Sequence, residues 1–141
     1  MLIKVKYYVD DAEMVRGETP HSEIWETKEV EAASSQEAID LVVNFLIDQI
    51  IQNSNHTAER VDDKINVVDA DGNIAEQYYG FTVESPVKAI RTEAGLSRAE
   101  TARLLEMPIR TLESWEAGVR TPAHWAEKLV IEKLQNIVKN S

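Results

Sequence analysis

The chain has 141 residues, 43% of them hydrophobic, and no cysteine, which bounds it to one ordinary domain or two small ones and excludes disulfides and thiolate metal sites. No apolar run approaches the ~20 residues that span a bilayer, and the N-terminus lacks the apolar core of a signal peptide, so no membrane partner and a cytoplasmic location are expected. The net charge of −10 argues against nucleic acid only until its distribution is read: residues 1–85 carry six Lys and Arg against 18 Asp and Glu, a net of −12, whereas residues 86–141 carry nine against seven, a net of +2.

In chain order, Leu2 to Val9 predicts a strand with Ile3, Val5, Tyr7 and Val9 on one face. Asp10 to Ser22 is polar, contains Gly17 and Pro20, and predicts a loop. Glu23 to Ala32 predicts a second strand without a clean buried face. Ser34-Ser35-Gln36-Glu37 has capping-box spacing, in which the serine hydroxyl takes the Glu37 amide and the glutamate reaches back. The helix it starts should run to about Gln52, and its wide apolar stripe suits packing over a sheet. Asn53 to Asp63 reads as a polar linker, and Ile65 to Val68 and Ile74 to Val83 as strands joined at Asp71-Gly72, a hairpin signal. The expected fold is α+β: residues 1–84 as an acidic ββαββ domain, a small antiparallel sheet with one packed helix, and residues 85–141 as an all-α domain of four or five short helices entered through Ser85-Pro86.

The segment from Gly95 to Gly118 parses into two short helices and a tight turn. Gly95 ends a preceding helix that carries Val87, Ile90 and Arg91. Ser97 and Glu100 form a capping box for the next helix, with Ala102, Leu104 and Leu105 as its buried face and Ala102 small enough for a close helix crossing. Met107 plugs the turn, Pro108 suits the first position of the second helix, Leu112 and Trp115 point inward, and Gly118 stops that helix. Ile109, Arg110, Glu113 and Ser114 are then left outward near the start of the second helix, the part that enters the major groove when such a unit docks on DNA. Arginine can pair bidentately with guanine, and an aliphatic side chain can touch a thymine methyl. Arg98 opens the first helix where a phosphate would lie, and Arg120 and Thr121 follow in a loop that can meet the backbone. Trp125 and Leu129 belong to the bundle or to a dimer seam, and Arg103, Lys128 and Lys133 read as solvated charges.

These residues resemble the lambda-repressor-like helix-turn-helix family, of the Xre or Cro/C1 type, over about residues 85–135. The shared features are Leu96-Ser97 at a helix start, small Ala102, Thr111-Leu112 in the second helix, and Trp115-Glu116-Ala117-Gly118 followed by Arg120 and Pro122. Arg98 and Glu106 depart from it, standing where the family often has glutamine and glycine. The resemblance implies a DNA-binding regulator in which Ile109, Arg110, Glu113 and Ser114 read bases while Arg98, Thr111 and Arg120 hold the backbone. In the first half, Val30-Glu31-Ala32 followed by Ser34 to Ile39 resembles small α+β proteins of mobile elements of the DpnD/PcfM-like type.

The function expected is sequence-specific regulation of transcription, as a repressor acting as a homodimer on double-stranded DNA, because one small module contacts few bases. An alternative is an antitoxin or mobile-element inhibitor whose acidic N-terminal domain binds a protein target while the C-terminal domain represses its own promoter. A third reading is a protein-binding module that borrows helix-turn-helix geometry. No phosphate loop, nucleophile motif or paired catalytic carboxylates are present, so no enzyme and no cofactor are expected. No metal site is expected either: His21, His56 and His124 lack ligand spacing, and the run Asp69 to Asn73 has Gly80 where a calcium loop needs its twelfth-position glutamate.

Overall fold

Strand β1 (Leu2–Asp11) alternates as its sequence demands, with Ile3, Val5 and Tyr7 buried and Leu2 and Lys4 exposed. It is seen in a computed structural model that describes residues 1–140. Asp11 accepts a hydrogen bond from the Met14 amide at 3.0 Å and caps a short helix, α1 (Ala12–Val15). Strand β2 (Trp25–Glu31) follows, then helix α2 (Ser35–Asn53), strands β3 (Thr57–Val61), β4 (Lys64–Val68) and β5 (Ile74–Val83), and helices α3 (Pro86–Glu93), α4 (Arg98–Leu104), α5 (Ile109–Glu116) and α6 (His124–Lys139). The protein is thus α+β, with one five-stranded antiparallel sheet in the order β2-β1-β5-β4-β3.

Two expectations for the first half need correction. The loop expected from Asp10 to Ser22 gives β1 two more residues and contains α1, a helix too short and too exposed to leave a periodic signal. The linker expected from Asn53 to Asp63 contains β3, so with α1 the order is βαβαβββ rather than ββαββ. Val61 pairs with Lys64, which leaves Asp62-Asp63 as a two-residue hairpin turn, and Asp62 adopts φ 54°. Aspartate tolerates that left-handed backbone, but it marks a turn far less plainly than Asp71-Gly72. β3 is an edge strand with four of its five residues exposed, so it lacks the alternation that would reveal it.

Ala38, Val42, Val43 and Leu46 recur at helical spacing on α2 and pack on Ile3, Val5, Tyr7, Ile65 and Val67 of the sheet. The opposite sheet face carries an aromatic row, with Tyr8 centred 3.8 Å from Trp25 and 5.5 Å from Tyr79. Gly80 makes the close approach possible. It sits at φ 70° beside a register shift between β1 and β5, and a Cβ there would lie 3.1 Å from the Tyr8 ring.

A second cluster, built from Val87, Ile90, Ala102, Leu112, Ile131 and Leu134, forms the core of the helical region. Met1 packs against both clusters. Polar contacts also join the regions. Ser34 caps α2 by accepting from the Glu37 amide at 3.2 Å. Among the described residues the Glu37 side chain makes no return bond, so the expected capping box is half formed. The next amide, Ser35, donates instead to the buried carboxylate of Glu127 on α6, and the Ser34 hydroxyl lies 2.6 Å from His124 Nδ1. A helix N-terminus exposes unsatisfied amides and a partial positive charge, and Glu127 supplies both the acceptor and the negative charge. Among the described residues, no helix is long and apolar enough to cross a membrane.

Candidate nucleic-acid interface

Three helix ends in the region share one design. α3 ends with Gly95 at φ 71°, its amide bonded to the Thr92 carbonyl while the Leu96 amide returns to Arg91. α5 ends the same way at Gly118, φ 74°, with Gly118 bonded to Trp115 and Val119 to Ser114. α4 ends at Glu106, φ 55°, with Glu106 bonded to Arg103 and Met107 to Ala102. This double bond closes a helix through a left-handed residue, usually glycine. The turn between α4 and α5 therefore has the glycine geometry with a glutamate in it.

The starts are as specific as the ends. Ser97 and Glu100 form both halves of the capping box expected of them, and Ser85 accepts from the Lys88 amide at 3.3 Å with Pro86 at the first position of α3. Pro108 proves to be the cap of α5 rather than its first residue, its carbonyl taking the Thr111 amide at 3.1 Å. The buried face of α4 also differs from expectation. Thr101 and Ala102 are buried, whereas Leu104 is 46% exposed. Thr101 hides its hydroxyl by donating to the Ser97 carbonyl at 2.9 Å, which lets a polar residue take a core position.

α5 turns Leu112 fully inward, with Trp115 half-buried against the same cluster. Ile109, Arg110 and Glu113 are exposed, and Thr111 and Ser114 are half-buried. The first three stand at one helical face by their spacing. The Ser114 carbonyl is occupied by the Val119 and Arg120 amides. Arg120 and Thr121 are exposed in the loop before α6. Trp125 and Leu129, 69% and 57% exposed, lie outside the bundle core.

Arg98 has a partner that the sequence did not suggest. Its Nε lies 3.3 Å from Glu116 Oε1, at the last residue of α5. The same carboxylate receives Arg91 bidentately, Nε to Oε2 at 2.9 Å and Nη2 to Oε1 at 2.7 Å. The Glu116 side chain is 1% exposed. Burial pushes its carboxyl up, but the hydrogen bonds and charges of Arg91 and Arg98 outweigh that and hold it below the usual carboxylate range. Arg91 also donates to the Leu96 carbonyl at 2.9 Å, so one ionic knot ties α3, the α3–α4 turn, α4 and α5 together. The signal for it lay in Trp-Glu-Ala-Gly, where a charged residue sits inside a packed motif, but the sequence does not name its partners.

Another buried carboxylate, Asp10, holds the sheet region. Asp10 is fully buried and accepts from the Ser22 amide at 2.9 Å and the Tyr79 hydroxyl at 3.1 Å, with His21 Nδ1 at 2.5 Å from its other oxygen. Burial raises its carboxyl, and these three hydrogen bonds more than reverse the rise. Asp69 does a lesser version at the β4–β5 turn, accepting from the amides of Asp71 and Asn73 at 2.9 and 3.0 Å. Comparison with known proteins matched no family model, no curated protein and no solved structure.

Proposed function

We propose that the protein is a sequence-specific DNA-binding regulator of transcription, acting as a dimeric repressor, in which α4, the Glu106 turn and α5 form the reading unit. The observation that carries this reading is α5 itself. Its inward side holds Leu112 in the core, while Ile109, Arg110 and Glu113 project from its first turns with no partner among the described side chains. Arg110 is the principal base reader, Ile109 an apolar contact, and Glu113 and Ser114 secondary contacts. Thr111, Arg120 and Thr121 serve the backbone, and Arg98 serves it with the guanidinium nitrogens that Glu116 leaves unused. Exposed Trp125 and Leu129, one turn apart on α6, provide an apolar seam for a second copy. Residues 1–84 then form the acidic sensing or partner-binding domain and residues 85–141 the DNA-binding domain, with the whole acting in the cytoplasm.

The test is a titration against the DNA upstream of the protein's own gene at two salt concentrations. Binding is expected to weaken steeply with salt, to survive competitor DNA, and to lose about 1–3 kcal/mol in Arg110→Ala. Binding no stronger than to random DNA, with Arg110→Ala neutral, refutes the reading.

A second reading rests on the acidic half. Its net charge of −12 is joined by an aromatic row of exposed Trp25 and half-buried Tyr8 and Tyr79, which fits a basic protein partner, as in an antitoxin or a mobile-element inhibitor. It predicts that residues on that sheet face, not Arg110, control partner capture.

A further inference from the structure

A cleft of about 720 Å³ opens between the end of β5, α3, and the loop that follows α5. Its size falls in the range of small-molecule sites. Its lining combines apolar Phe81, Val87 and Trp115 with Lys88, Arg120 and Thr121. The charges around it are unequal in availability. Glu116 is neutralised by Arg91 and Arg98, Glu127 is held by the Ser35 amide, and Glu84 lies 3.7 Å from Lys6. Among the described residues, Lys88 and Arg120 form no ion pair. The cleft thus offers apolar lining and two uncommitted cations, a combination that selects a small organic anion with an apolar body over a cation or a neutral polar solute.

We propose that this cleft is a binding site for a small aromatic or aliphatic carboxylate. Lys88 and Arg120 hold the anionic end, and Phe81, Val87 and Trp115 cover the apolar end. A consequence rests on the DNA-binding reading above. Arg120 also belongs to the loop assigned to the DNA backbone, so an anion in the cleft competes with phosphate for it. Ligand and DNA then weaken each other by the same factor.

The first experiment needs no DNA. 1-Naphthoate is titrated into the full-length, isotopically labelled protein and followed by amide and indole NMR. Saturable shifts are expected at the Trp115 indole and at the Lys88 and Arg120 amides. The cation 1-naphthylmethylamine should bind at least about tenfold more weakly, as should naphthoate to Lys88→Glu and to Arg120→Glu, whose spectra also report that they remain folded. Absence of saturable shifts, equal affinity for the cation, or indifference to both substitutions overturns the site. In the second experiment, saturating naphthoate should lower affinity for the upstream DNA at least about fivefold in the unsubstituted protein and leave Lys88→Glu unaffected. Naphthoate binding with unchanged DNA affinity overturns the competition. A protein that takes naphthoate but never binds DNA overturns the DNA reading and leaves the site standing.

Discussion

The sheet region buries Asp10 and the helical region buries the side chain of Glu116, and they satisfy these carboxylates by different means. Asp10 is held by an amide, a phenol and an exposed imidazole, whereas Glu116 is held by two arginines. In the sheet region, where cations are scarce, hydrogen bonds carry most of the charge, with a lesser contribution from the field of His21. They also fasten the polar segment after α1 to the sheet. In the helical region the knot consumes Arg91 and half-commits Arg98, so its excess of positive charge is smaller in effect than the sequence count suggests. Under the DNA-binding proposal, recognition would then rest on a few placed arginines rather than on a broad basic face.

The largest effect should come from the helical core. Leu112 is fully buried at the centre of a small cluster, and Leu112→Ala is expected to cost about 2–5 kcal/mol, measured by urea unfolding. A cost below about 1 kcal/mol would show that the cluster is loosely packed.

Next come the two carboxylates. Glu116→Gln leaves Arg91, only 13% exposed in its side chain, facing an uncharged partner. About 3 kcal/mol is expected by analogy with broken buried pairs. Both carboxyls are held below their usual values in the folded protein. Each therefore contributes stability above the unfolded carboxylate values, about 4, and that stability is lost as pH falls through the folded value. Unfolding free energy measured between about pH 2 and 6 should fall on acidification and fall less in Glu116→Gln and in Asp10→Asn. If one substitution leaves the slope unchanged, that carboxylate is not the acid-sensitive group of its region.

Glu127→Ala probes whether the regions behave as one. It removes the acceptor of the buried Ser35 amide, at a cost of about 1–3 kcal/mol. With the seam weakened, tryptophan emission and far-UV ellipticity should unfold at separate denaturant concentrations where they coincide in the unsubstituted protein. Coincident curves in Glu127→Ala would mean that the apolar contacts of Met1 suffice to couple the regions.

The sequence was most informative where structure is local. The ends of α2 and β5, the Ser97 capping box and the two glycine helix stops follow from neighbouring residues, and each was readable to within about a residue. Strand β3 was not readable, because an edge strand needs no buried face and its turn is Asp-Asp. Nor were the partners of Asp10, Glu116 and Glu127, whose contacts reach residues 11 to 92 positions away. Leu104 misled for a related reason. Apolar spacing alone could not show that Thr101 closes its own hydrogen bond and takes the core position. For the candidate interface, the exposure of Ile109, Arg110 and Glu113 on α5 was legible from the helix period, while the half-burial of Ser114 and the engagement of Arg98 by Glu116 were not.

The smallest predicted effect is a gain. Glu106 is exposed, holds φ 55°, and stands in a helix stop where Gly95 and Gly118 hold φ 71° and 74°. A left-handed residue with a Cβ costs about 1–2 kcal/mol, and the extra freedom of glycine in the unfolded chain returns about 0.5–1 kcal/mol of that. Glu106→Gly should therefore stabilise the protein by roughly 0.5–1 kcal/mol, a rise in Tm of about 2–4 °C at this size. Glu106→Ala separates the two causes open to such a gain. It removes the same charge but keeps the Cβ, so a backbone origin predicts a gain for glycine and none for alanine. Equal gains would place the cost of Glu106 in its charge beside the reading helix. Both variants should then also bind DNA more tightly, by an amount that shrinks as salt is raised.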